Sequence, residues 1–208
     1  MWFQKLGRER TRAWPALAGL VAVLLVGVVC WGCSPSYVTS NDAPVNLIIA
    51  QINKGAVLDS DVRLGQDSSL VCPDTVQVSL AVRNKNPNAP VPYVPGTVLL
   101  QSYEVRYFRT DGRGTEGVDV PFRITGNLSF SIDVATSGTS DVPIEVVRRQ
   151  AKLDPPLSTI NQANILTLMA QVTIFGQTVA GQSVTSSASF QIDFADFVDT
   201  ATTCPVAQ

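Results

Sequence analysis

The chain of 208 residues contains no histidine. That removes the commonest general base and with it the Ser-His-Asp and Cys-His arrangements of hydrolases. Cysteine is sparse, at four residues, and two distant thiols without histidine make a poor zinc set. Charge is scarce too, at 15% of residues. All three tryptophans, Trp2, Trp14 and Trp31, lie in the first 31 residues. The remaining chain therefore lacks the Cys–Trp–Cys hallmark of immunoglobulin domains. No Gly-rich loop sits between a strand and a helix, so a nucleotide-binding signature is missing. Beyond residue 34 no segment carries a persuasive helical period.

What is present first is a leader. Lys5, Arg8, Arg10 and Arg12 precede an uncharged apolar run from Ala13 to Gly32, which ends at Cys33 and the polar Ser34-Pro-Ser-Tyr37. A basic stretch, an apolar core and a small residue before a cleavage point are the parts of an export signal. Twenty uncharged residues also approach the length of a minimal bilayer span. Cleaved secretion, an uncleaved anchor and lipid attachment are thus the three readings. The Gly32-Cys33 step resembles bacterial lipoprotein signal peptides, in which a small residue precedes the lipidated cysteine. That resemblance covers the first 33 residues. It implies removal of residues 1–32, acylation of Cys33 and membrane attachment through the lipid. Ser34 stands where an aspartate would retain such a protein at the inner membrane. The resemblance therefore implies an outer-membrane lipoprotein facing the periplasm or the cell surface.

Without residues 1–32 the chain carries 11 Lys and Arg against 16 Asp and Glu. A mildly acidic chain argues against nucleic acid as a partner. Residues 33–44 have no hydrophobic period and read as a tether. Residues 45–208 read as one domain. Cys72 and Cys204 remain as an even pair in an oxidising compartment, which predicts a disulfide closing a very long loop.

From residue 45 the hydrophobic period is two. Val76, Val78, Leu80 and Val82 alternate with polar neighbours, as do Leu128, Phe130, Ile132 and Val134. The same holds for alternate residues over 166–174 and 188–194. Residues 45–52, 99–109 and 142–147 supply weaker strands. Each reads as a strand with one face in a core and one in water. Turn residues at 84–96, 110–117, 154–157 and 176–181 separate them. Seven or more strands predict an all-β domain, a single antiparallel β-sandwich of Ig- or fibronectin-III-like kind, with an up-and-down barrel as the alternative. Asn84-Lys-Asn-Pro-Asn88 is similar to the NPN-type turn of late-embryogenesis-abundant type 2 domains, over that one turn.

Candidate chemistry is thin. Asp193, Asp196 and Asp199 lie near a strand end and could converge on Ca²⁺, although a spacing of three sets Asp193 and Asp196 on opposite faces. Asp111, Glu116 and Asp119 form a second acidic set in a hairpin. The plainer reading of both is solvated turn carboxylates, so neither a metal nor a cofactor is expected. Arg148-Arg149 is an isolated basic pair. Tyr103 and Tyr107 share one strand face and pack in the core or, with Tyr93 of the Pro-rich loop, form a patch for a partner. The sequence thus predicts a non-catalytic envelope lipoprotein with a structural, adhesive or binding role. An accessory subunit of an export or envelope-assembly complex is the alternative, and an unrecognised hydrolase a distant third.

Overall fold

The computed structural model describes residues 43–64, 70–86, 88, 96–134, 138–197 and 203–204. Two compact units partition the chain, Met1–Ser40 and Asn41–Gln208, and every described residue lies in the second. The fold is all-β. Its strands are β1 (Val45–Ile52), β2 (Leu58–Asp61), β3 (Asp74–Asn84), β4 (Val98–Phe108), β5 (Ile124–Ile132), β6 (Ser140–Val147), β7 (Leu166–Thr178) and β8 (Ser183–Ala195). One single-turn helix, α1 (Arg149–Leu153), follows β6. A three-stranded sheet has the order β1-β3-β6, and a five-stranded sheet the order β2-β8-β7-β4-β5.

The alternation read from the sequence is the packing rule of both sheets. Val76, Val78, Leu80 and Val82 of β3 are buried, and so are Leu168, Ala170, Val172 and Ile174 of β7. They join Val105, Ile144, Ile192 and Phe194 in one core shared by the two sheets. Among the described strands the pairing departs from an all-antiparallel arrangement at one place. Strand β2 runs parallel to β8, with Leu58 opposite Ile192 and Asp61 opposite Ala195. Parallel pairing needs a crossover rather than a tight hairpin, and here β3 to β7 all lie between the two strands in the chain. A left-handed turn at Asn53, Lys54 and Gly55 carries the chain from β1 of one sheet to β2 of the other.

Bulges correct the register where strict alternation would misplace side chains. Leu100 of β4 pairs with Gly176 of β7 and Ser102 with Phe175, so Gln101 is an extra residue. The inward parity of β4 consequently changes from Val98 and Leu100 to Tyr103, Val105 and Tyr107, all buried. A second slip falls between β3 and β6. Asp74 faces Val147 and Thr75 faces Glu145, which leaves Val146 opposite no residue of β3. Its carbonyl accepts the Tyr107 hydroxyl instead, so a phenol on one sheet satisfies a backbone group on the other. Phe130, expected in the core, lies opposite Leu100 on edge strand β5 and stays 44% exposed. An inward parity at a sheet edge does not guarantee cover.

Gly126 of β5 sits opposite Tyr103. A methyl group there would lie 2.3 Å from the ring Cε1 and 2.5 Å from Cζ. The Tyr103 ring is fixed by the core beneath it, so it cannot yield cheaply. Gly126→Ala should therefore cost about 1–3 kcal/mol through overpacking. Gly114→Ala, at a position with nothing within 4 Å, should leave stability within about 0.5 kcal/mol. Urea midpoints of the two variants check this, and equal midpoints would refute it.

Candidate functional site

The most concentrated chemistry in the described residues is a buried polar node where α1 meets both sheets. Alternation places Asp74 on the same face of β3 as Val76 and Val78, so its carboxylate points inward. Strand β2 brings Ser60, wholly buried, to the same place from the other sheet. Ser60 Oγ donates to Asp74 Oδ2 at 2.6 Å. Lys152 comes from α1, and its side chain is 1% exposed. Its Nζ donates to the Asp61 carbonyl at 2.7 Å and lies 3.0 Å from each Asp74 oxygen. Burial pushes the Asp74 carboxyl above its ordinary value, against the opposing pull of the Lys152 charge and the Ser60 and Lys152 hydrogen bonds. Burial also raises the Tyr107 phenol, with the Asp74 charge as the next contribution. The phenol thus stays protonated and keeps its bond to Val146.

A lysine is almost never buried without a partner, and here the partners are complete. Three donors meet one main-chain carbonyl and two carboxylate oxygens. The node lies beside the Cys72–Cys204 disulfide, whose Cα atoms are 5.5 Å apart. Cys72 is only two residues before Asp74. The pairing expected from cysteine arithmetic is therefore present. Two further contacts close the same end of the domain. Arg63 Nη2 donates to the Ser158 carbonyl at 2.9 Å, and the Phe197 amide donates to Asp61 Oδ1 at 3.3 Å.

The residues singled out from the sequence do not converge. Asp193, on β8, accepts two bonds from Gln191 Nε2 at 3.0 and 3.1 Å, and Asp196 lies just beyond the strand. Asp199, Tyr93 and Cys33 lie outside the described residues. Among the described residues no group of three His, Cys, Asp or Glu side chains is arranged to hold a metal. The hairpin acids are held separately. Asp111 accepts from both Arg109 and Arg113, Glu116 lies 3.4 Å from Arg123, and Asp119 accepts the Thr115 amide at 3.2 Å. Arg148 spends its guanidinium on the Thr125 carbonyl of β5. Tyr103 and Tyr107 are core residues, not a surface patch.

Among the described residues, two concavities flank this framework. A cleft of about 310 Å³ lies between the end of β1, the Asn53–Gly55 turn and β8, lined by residues such as Gln51, Val57, Ser189 and Gln191. A groove of about 680 Å³ follows the bulge between β4 and β5, lined by residues such as Leu99, Gln101, Asn127 and Phe130. Neither lining contains a titratable side chain. The node is the feature that sequence reasoning missed, and one signal for it was legible. Asp74 occupies an inward position of an otherwise apolar alternation.

No protein-family model, curated protein or solved structure matches this chain.

Removing Lys152 leaves Asp74 buried without its cation. Lys152→Ala should cost about 3–5 kcal/mol, the usual penalty for breaking a buried pair. Arg149→Ala, one helical turn away and exposed, should stay within about 0.5 kcal/mol. Equal denaturation midpoints for the two variants would contradict this account. A second expectation concerns pH. The hydrogen bonds from Arg109 and Arg113 hold the Asp111 carboxyl well below the usual aspartate range. Its contribution is thus present above the unfolded value of about 3.9 and is lost as pH falls through the lower folded one. Carboxyl-carbon NMR should show Asp111 still ionised at a pH where a free aspartate, with its value of about 3.9, has largely titrated. Titration of Asp111 at that free value would show the arginine clamp absent in solution.

Proposed function

We propose that this protein is a non-catalytic envelope lipoprotein, held by a lipid on Cys33, whose two sheets form a β-sandwich of Ig- or fibronectin-III-like kind. Its work is structural, adhesive or binding, at the periplasmic or outer face of an outer membrane. The observation that carries the non-catalytic reading is the placement of reactive groups. Both concavities lack titratable side chains, while the buried Lys152 and Asp74 neutralise each other away from solvent. A general acid or base must reach the proton it moves, and in neither concavity is one on offer. The disulfide supports the exported reading, because such bonds persist in oxidising compartments. The leader supports the anchor.

A docking subunit of an envelope assembly is the second reading, and a particular observation favours it. Val118 and Phe122 are 67% and 58% exposed on the loop that joins β4 to β5. That loop is held by the Arg109–Asp111–Arg113 and Arg123–Glu116 pairs. Apolar side chains on a held loop suit a protein partner.

The lipid anchor has a direct test. Mass spectrometry of the mature protein should find an N-terminal peptide beginning at an acylated Cys33. Cys33→Ala should accumulate the uncleaved precursor. An intact Met1 terminus on the wild-type protein would overturn the lipoprotein reading.

A further inference from the structure

The buried pair is also a pair of reactants. We propose that Lys152 and Asp74 condense to an intramolecular amide, which makes the node a covalent cross-link between α1 and β3. The Lys152 amine lies 3.0 Å from both oxygens of the Asp74 carboxyl, which sets its nitrogen against the carboxyl carbon between them at about the 3–3.5 Å from which bound groups are poised to react. Both side chains are fixed. The amine is aimed by the Asp61 carbonyl, and the carboxyl is aimed by Ser60.

The chemistry balances without any co-reactant. One proton passes from the ammonium to the carboxylate, giving a neutral amine and a neutral acid. The nitrogen lone pair attacks Cγ, forming the C–N bond. Ser60 Oγ–H remains on Oδ2 as that oxygen gains negative charge, the role of an oxyanion donor. Oδ1, which carries that first proton, takes a second from the nitrogen and leaves as one water. The amide N–H that remains still faces the Asp61 carbonyl. Burial favours the sequence, because it penalises the charged pair relative to the neutral one, in keeping with the raised Asp74 value.

The product would join positions 78 residues apart, two residues along the chain from a disulfide that spans 132. The two bonds would fasten the same end of the domain by independent chemistries, one reducible and one not.

Trypsin reads the bond directly, because no Lys or Arg follows Lys152 in the chain. The full-length protein is purified folded, then denatured, reduced, alkylated and digested. An acylated Lys152 resists cleavage. The expected product is residues 64–83 joined to residues 150–208, with a mass one water below their sum. Fragmentation places the link at Asp74 and Lys152. Lys152→Arg, which keeps a cation but lacks the primary amine, should release residues 64–83 as a linear peptide. A synthetic 64–83 peptide calibrates the yield, so the wild-type result decides even where a variant folds poorly. Stoichiometric recovery of linear 64–83 from the folded wild-type protein would overturn the proposal and leave the node as an ion pair only.

Discussion

One buried lysine connects the parts of this domain that the chain keeps apart. Lys152 belongs to a five-residue helix with too few turns to stand alone. Its Nζ reaches Asp61 of the five-stranded sheet and Asp74 of the three-stranded sheet. Taking these charges out of water costs several kcal/mol per ion before their attraction is counted. The cost is tolerable only because every polar atom has a partner, including the Ser60 hydroxyl on the second carboxylate oxygen. Such a node fixes geometry more than it adds stability. It specifies where α1 sits, how β2 lies along β8 and which residue begins β3.

Among the described residues, the two sheets are otherwise joined along their sides by few polar contacts. On one side Arg148 reaches across to the Thr125 carbonyl of β5. On the other the Ile49 amide of β1 donates to Ser186 Oγ of β8 at 3.2 Å. The bulges make these sparse contacts sufficient. By leaving Val146 without a partner on β3, one slip creates the acceptor that Tyr107 fills from the other sheet. By changing the parity of β4, another aims Tyr103 and Tyr107 inward. Each irregularity in one ladder is answered by a side chain of the other.

Much of the architecture was legible because period-two alternation is a local signal. Strands β1, β3, β4, β6, β7 and β8 fall where apolar residues recur at every second position. Strand β2 escaped, since Leu58-Asp-Ser-Asp61 is four residues long with two acids. Its pairing is parallel and set by distant Ile192 and Phe194. Helix α1 escaped because a single turn shows no period. Phe130 was assigned to the core because alternation reports which face a residue takes, not whether anything covers that face. The disulfide needed only arithmetic on cysteines. The buried node needed three segments brought together, and only Asp74 left a trace in its own neighbourhood. Lys152, between Ala151 and Leu153, carries no local mark at all.

Among the described residues the fastenings are unevenly distributed, and that asymmetry bears on what the domain can present. Val45, Asn84, Val98, Ile132 and Thr178 lie at the end where β1 begins. Described contacts there include the Thr97–Asp133 hydrogen bond at 2.6 Å and the Val179 amide to the Thr97 carbonyl at 3.2 Å. The opposite end holds the ion pair, the disulfide and buried Leu157 and Ile160 beneath the segment that follows α1. The loop joining β4 to β5 projects from that reinforced end with its own arginine–carboxylate pairs. Exposed apolar residues on a loosely held loop would collapse onto the nearest core. Phe122 instead packs its ring over Gly117, where a side chain would meet it at 2.5 Å, and still keeps more than half its surface in water. The base beneath it is the end of the domain that the Lys152–Asp74 pair and the disulfide tie together, so the side chain is presented from the most cross-connected part of the described fold.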